Sequence, residues 1–177
     1  MSIKKIFVAG FGGQGVLLIG QMLSYAAMFE GKEVTWMPSY GPEMRGGTAN
    51  CTVCISDIPI ASPLVNTCDV LVAMNGPSLE KFECMLVSGG NLFINSSIVP
   101  SKALRDDINV YYIDCNKIAE NKVGSVKAAN MVMLGAIINV TNVVNKSTME
   151  KVFQKVMSGE KAKLIPMNMK ALGAWTK

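Results

Sequence analysis

Two glycine-dense loops carry the residues of this chain best suited to chemistry: Gly10-Phe11-Gly12-Gly13-Gln14-Gly15 and Ser39-Tyr40-Gly41-Pro42-Glu43-Met44-Arg45-Gly46-Gly47. Glycine weakens helix and strand interiors, so its clustering marks backbone that turns tightly or approaches a ligand closely. The first cluster lies between the apolar run Ile6-Phe7-Val8-Ala9 and the helix-like run Val16-Leu17-Leu18-Ile19. That strand, turn, helix order aims backbone N–H groups and a helix N-terminus at an anion. The second loop sets Glu43 and Arg45 among glycines and adds the hydroxyls of Ser39 and Tyr40. Arg45 either pairs with Glu43 as a structural ion pair or presents its planar fork to a phosphate or carboxylate of a ligand or neighbouring subunit. Both loops are expected on the carboxyl edge of a parallel sheet, where open α/β folds bind their ligands.

Other chemistries are excluded or disfavoured by what the chain contains. It has no histidine, which removes the commonest general base and any Ser-His or Cys-His pair within the chain. There is no Gly-x-x-x-x-Gly-Lys-Ser/Thr phosphate loop, and no catalytic residue is assigned. Gly10-x-Gly12-x-x-Gly15 matches the dinucleotide fingerprint in form, but that fingerprint needs an acid at the end of the second strand, about 20 residues on. Here that strand ends Trp36-Met37-Pro38-Ser39, and Glu30 and Glu33 fall at the opposite sheet edge. NAD binding is therefore disfavoured, and a tight turn without a ligand stands as the plain alternative for the first loop. Of five cysteines, Cys51 and Cys54 have Cys-x-x-Cys spacing, but they lie in a strand-like run where residues three apart point to opposite faces, so no metal site is assigned.

The elements that must position these loops follow from periodicity. Ile3 to Ala9 reads as a strand buried on both faces, Gln14 to Phe29 as a helix closed by Gly31, and Glu33 to Met37 and Thr48 to Ser56 as strands. Val70 to Met74 is a further strand, followed by a helix capped by Asn75 or Ser78 that is expected to run to Val87 and end at Ser88-Gly89-Gly90. Asn91 to Asn95 and Val110 to Asp114 are two more strands. Helices are expected over Ala128 to Asn142, Thr148 to Met157 and Lys161 to Trp175. Alternating strands and helices predict a Rossmann-like three-layer α/β/α sandwich with a mostly parallel sheet, forming a single domain over residues 1–177.

The bulk numbers agree with one well-buried unit. Half of the residues are hydrophobic, and 17 Lys plus Arg against 13 Asp plus Glu give a net charge of +4. The basic residues are scattered, so no nucleic-acid face is indicated. The apolar stretch Ala128 to Val144 is interrupted by Asn130, Asn139 and Asn142 and is shorter than the roughly 20 residues of a membrane span, so it reads as a buried helix. The start of the chain has no signal- or transit-peptide pattern, which together with the odd number of cysteines points to a cytoplasmic, reduced protein. Thirteen methionines and a mean hydropathy of +0.31 leave room for an apolar surface used by partner subunits or for self-association.

Both loops closely resemble those of the gamma subunit, or equivalent fused domain, of 2-oxoacid:ferredoxin oxidoreductases. The matching pieces are Gly10 to Val16, Ala26-Ala27 through Gly31, Ser39 to Gly47, Ile55-Ser56-Asp57-x-Pro59-Ile60 and Asn130 to Gly135, so the resemblance runs nearly the whole length. It implies a non-catalytic subunit of an enzyme that oxidatively decarboxylates a 2-oxoacid with coenzyme A, giving acyl-CoA, carbon dioxide and reduced ferredoxin. Thiamine diphosphate would be held by alpha and beta subunits, and iron-sulfur clusters by a ferredoxin-like subunit. This chain would contribute assembly and contact with coenzyme A through Gly10, Gly12, Gly13, Gln14, Gly15, Ser39, Tyr40, Glu43, Arg45, Gly46 and Gly47. Family members often carry arginine where this chain has Cys54, a departure that weakens phosphate contact there. The second loop is most similar to those of the 2-oxoglutarate and branched-chain enzymes, and 2-oxoglutarate is favoured. The competing reading is a stand-alone nucleotide-binding or assembly module without redox function.

Overall fold

A computed structural model describes residues 3–41 and 47–176. Six strands form one sheet: β1 (Lys4–Phe11), β2 (Glu33–Tyr40), β3 (Thr48–Ser56), β4 (Cys68–Ala73), β5 (Leu86–Asn95) and β6 (Asn109–Ile113), in the spatial order β2-β3-β1-β4-β5-β6. The central strands are apolar on both faces because both are covered. In β1, Ile6 and Val8 enter the larger core while Phe7 and Ala9 enter the smaller one on the opposite face. The same alternation runs through β4, with Val70 and Val72 on one face and Leu71 and Ala73 on the other.

The helices are distributed unequally between the faces. α1 (Val16–Phe29), α3 (Cys115–Ile118), α4 (Ala129–Thr141), α5 (Met149–Val156) and α6 (Ile165–Leu172) contribute to the larger core. The smaller core lies under α2 (Gly76–Phe82) and the segment from Val99 to Ile108. The expected sandwich is therefore present, with one thick layer and one thin one. β1, β4, β5 and β6 are parallel and β3 runs against both β1 and β2, so the sheet is mixed and β3 is its reversed strand. The reason is connection length: the chain between β2 and β3 is too short for the crossover of a dozen or more residues that a parallel pair requires.

Local sequence accounts for most element ends. Gly31 adopts a left-handed φ of 72° after α1 and its N–H donates to Met28 O at 3.0 Å, while Lys32 N–H donates to Ala27 O at 3.0 Å, the paired bonds of a Schellman cap. Asn75 caps α2 by accepting from Ser78 N–H at 2.9 Å. α2 ends at Phe82, however, and after a short 3-10 turn at Glu83–Met85 the chain enters β5 at Leu86, so Ser88, Gly89 and Gly90 lie inside a strand rather than ending a helix. The glycines serve an irregularity there: the register with β4 shifts between Cys68 and Val70, and Gly89 has a φ of 72°. α3 and the π-turn Ala119–Val123 after it were not expected from the sequence. α4 is buried from Ala129 to Ile138, which accounts for the long apolar stretch without a membrane; among the described residues no helix is long and apolar enough to cross one.

Glu30 ties the end of α1 to the turn between α4 and α5. Its Oε1 accepts from Asn145 N–H at 2.6 Å and from the Thr148 hydroxyl at 2.9 Å, and its Oε2 lies 3.1 Å from Lys32 Nζ. Desolvation opposes ionisation, but the hydrogen bonds from Asn145 and Thr148 and the Lys32 ammonium outweigh it and hold the carboxyl below its ordinary value. A lowered folded pKa stabilises the protein above the unfolded value, and that contribution is lost as pH falls through the folded one. Glu30→Gln is expected to cost about 1–2 kcal/mol at neutral pH, with the deficit shrinking in acid, as measured by urea unfolding across pH.

Candidate ligand-binding site

The glycine turn after β1 is held by one carboxamide. Gln14 Oε1 accepts from Phe11 N–H at 2.7 Å, Gln14 Nε2 donates to Met74 O at 3.0 Å, and Asn75 Nδ2 donates to Gln14 Oε1 at 3.4 Å. These bonds fasten the turn to the end of β4. Gly10 is required by that closeness: a Cβ there would lie 2.6 Å from Gln14 Oε1 and 2.9 Å from Met74 Cβ. Gly13 and Gly15 have φ of 98° and 75°, the left-handed region glycine tolerates, and a Cβ on Gly15 would also collide with the Asn130 side chain. Gly12 N–H donates to Gly47 O at 2.9 Å, which brings the two glycine loops together.

Ser39 and Tyr40 are exposed at the end of β2, paired with Asn50 and Ala49 of β3. Tyr40 borders a hollow of about 310 Å³ with Phe11 and the first turn of α1. Glu43, Arg45 and Gly46 lie outside the described residues, so the choice between an ion pair and a ligand contact for Arg45 is not addressed by the structure.

On the other side of the turn a crevice of about 300 Å³ opens at the carboxyl ends of β1, β4 and β5. It is bounded by Gly13, Gln14 and Gly15, by Met74 and Asn95, and by Asn116, Lys127 and Asn130. β1 leads into α1 over the thick face and β4 into α2 over the thin face, so the crevice lies where successive connections diverge, the place where α/β sheets take ligands. Asn95 Nδ2 donates to Asn116 Oδ1 at 3.2 Å, and Asn95 Oδ1 accepts from Ser97 N–H at 3.3 Å. Ser97 Oγ bonds to Asp114 and accepts from Asn116 N–H at 2.9 Å. The Ser97 hydrogen bond, with a smaller contribution from Lys117, holds Asp114 below the usual carboxylate range.

The crevice offers hydrogen-bond donors and acceptors and one positive charge. Its lining is amide, backbone, aliphatic and a single ammonium, with no acid, thiol or hydroxyl side chain among the described lining residues. Three of the buried cysteines are disfavoured as nucleophiles: burial pushes the Cys51 and Cys68 thiols up to about 12 and raises Cys115 as well. Cys51 faces the larger core and Cys54 the opposite side of β3, and no group of three metal-ligating side chains occurs among the described residues.

Asn95, Asn116, Lys127 and Asn130 were not identified as site residues from the sequence. A detectable signal existed: Asn95 ends the apolar run Leu92-Phe93-Ile94, and Asn130 interrupts an apolar helix at its first turn.

Residues 5–174 match the family described as Pyruvate ferredoxin/flavodoxin oxidoreductase. The chain belongs to that family. It is 40% identical over 172 residues to the ketoisovalerate oxidoreductase subunit VorA of Methanothermobacter thermautotrophicus, covering 96% of this chain and 35% of the relative. It is 38% identical over 150 residues to the 2-oxoglutarate synthase subunit KorC of Methanocaldococcus jannaschii, covering 84% of this chain and 80% of that one. Among solved structures, the gamma subunit of keto/oxoacid ferredoxin oxidoreductase from Geobacter sulfurreducens superposes with a TM-score of 0.82 at 32% identity, over 97% of this chain and 95% of that one. The chain spans about a third of the VorA relative but most of KorC and of the Geobacter subunit.

Removing the Gln14 carboxamide leaves Phe11 N–H and Met74 O without their partner. Gln14→Ala is expected to lower stability by about 2 kcal/mol, and Gly15→Ala by about 1–3 kcal/mol through its left-handed φ, both read as urea midpoints.

Proposed function

We propose that this chain is the gamma-type subunit, a single domain over residues 1–177, of a cytoplasmic 2-oxoacid:ferredoxin oxidoreductase. The observation that carries the reading is similarity over most of the chain to separate subunits of comparable length, KorC in sequence and the Geobacter gamma subunit in fold. The reaction is CoA-dependent oxidative decarboxylation of a 2-oxoacid to acyl-CoA and carbon dioxide, with electrons passed to ferredoxin. Thiamine diphosphate and the iron-sulfur clusters belong to the alpha, beta and ferredoxin-like partners. Cys51, Cys54, Cys68 and Cys115 are buried singly and Cys84 is exposed, and no three metal-ligating side chains gather among the described residues.

The part of this chain is to position. Gly10, Gly12, Gly13, Gln14 and Gly15, together with Ser39, Tyr40, Glu43, Arg45, Gly46 and Gly47, are assigned to coenzyme A, whose phosphates suit a bare-backbone turn opening a helix. We favour 2-oxoglutarate as the acid, in keeping with the KorC match. The 40% identity to VorA supports a branched-chain 2-oxoacid as the second reading.

The test is to tag the chain in its source cells, purify it without oxygen and assay CoA-dependent reduction of a viologen dye. Thiamine-binding subunits are expected to co-purify, with the fastest turnover on 2-oxoglutarate. Faster turnover on 2-oxoisovalerate transfers the assignment to the branched-chain type. Recovery of the chain alone and inactive overturns the subunit reading in favour of a stand-alone module.

A further inference from the structure

Two long helices begin at the crevice beside the glycine turn. α1 starts after Gly15, whose position offers no capping side chain, and the 3-10 turn Val126–Ala128 leading into α4 starts after Ser125, whose side chain makes no capping bond. Each helix therefore directs the positive end of its dipole, uncapped by any side chain, toward the same space. Lys127 stands at its edge and makes no ion pair with a described residue, and no carboxylate is among the described residues lining it.

A second observation is independent of the helices. Asn130 is only 9% exposed, yet its carboxamide makes no hydrogen bond with any described residue. Among the described residues no side-chain nitrogen or oxygen sealed from solvent lacks a partner, so this amide must open onto space, and the space it borders is the crevice. A buried amide kept free in an electropositive cleft is a donor waiting for an acceptor from outside the chain.

We propose that this crevice binds a phosphate-bearing anion, with the Asn130 amide donating to it and the Lys127 ammonium neutralising it. The residues concerned lie on the α4 side of the glycine turn, and Tyr40 borders the separate hollow beside Phe11 and α1. That the phosphate is carried by coenzyme A rests on the function proposed above; the anion site itself does not.

The experiment titrates inorganic pyrophosphate into the full isotopically labelled chain and follows NMR signals of Gly13, Gly15 and the Asn130 side chain, with affinities from calorimetry. Saturable shifts at all three are expected. Asn130→Asp, which keeps the shape but adds a negative charge, is expected to weaken binding about tenfold or more. Lys127→Ala, at an exposed position that leaves the core intact, is expected to weaken it several-fold and flatten its salt dependence. Absence of shifts at millimolar pyrophosphate, or unchanged affinity in Lys127→Ala and in a folded Asn130→Asp, overturns the site.

Coenzyme A, ADP and pantetheine then separate the sources. Shifts at Asn130 with coenzyme A and ADP but not pantetheine support the crevice as the seat of a nucleotide phosphate. Pyrophosphate shifts without any coenzyme A shifts support the crevice and remove the coenzyme A assignment. Coenzyme A shifts confined to Ser39 and Tyr40 keep that assignment and overturn the crevice as the seat of its phosphate, leaving the anion site to the pyrophosphate result.

Discussion

The carboxamide of Gln14 spans the gap between β1 and β4, and the arrangement of the carboxyl edge depends on it. By accepting from Phe11 N–H and donating to Met74 O, it joins the turn that leaves one central strand to the backbone that leaves the next. Those two strands send their helices to opposite faces, so their ends diverge and would otherwise leave backbone groups without partners. One side chain with both a donor and an acceptor closes that gap, which neither a carboxylate nor an ammonium does. Gly10 has to be bare because Gln14 and Met74 come so close, and Gly13 and Gly15 have to be glycine because the turn passes through left-handed conformations. The glycine turn is thus held by backbone and amide bonding, with no ion pair among the described residues that bound the crevice.

The same economy explains what the site does not contain. A cleft lined by amides, backbone and one ammonium orients a ligand and offsets its charge, and no carboxylate, thiol or hydroxyl stands among its described lining residues. The surface agrees with a life in an assembly: Trp36, Met37 and Tyr40 are exposed along the edge strand β2, with Met28 and Phe29 exposed at the end of the adjacent α1. Exposed apolar residues gathered along one edge are the pattern of interaction surfaces rather than of freely solvated ones.

Much of this architecture was legible in the residues. The first strand, its glycine turn and the helix after it were readable because each rests on local causes: a doubly buried apolar run, left-handed glycines and a C-terminal Gly31. β3 was readable from end to end. The errors arose where a local signal had two meanings. Ser88, Gly89 and Gly90 look like a helix stop, but they lie in β5 because it pairs with β4 on both sides of them, Leu86 with Cys68 and Asn91 with Val70, across an irregularity that glycine accommodates. α3 and the π-turn went unseen because Cys115 to Val123 shows little periodicity of its own and is shaped by packing under α4 and α6.

The sequence by itself determined the fold class, the two glycine loops and the family, since these depend on residue types at short spacing: turns need glycine, buried strands need apolar runs, and such patterns survive without knowledge of distant contacts. Only the tertiary structure decided that β3 runs against its neighbours, that Gln14 acts as a brace between strands, and that Asn95, Asn116, Lys127 and Asn130 meet at one crevice. Asn95 and Asn130, 81 and 116 positions after Gln14, reach its turn only after the sheet has formed and α4 has buried its apolar length against it. A free amide at the start of that helix acquires meaning only when its surroundings are known, because burial and partners are properties of the packed chain and not of its spelling.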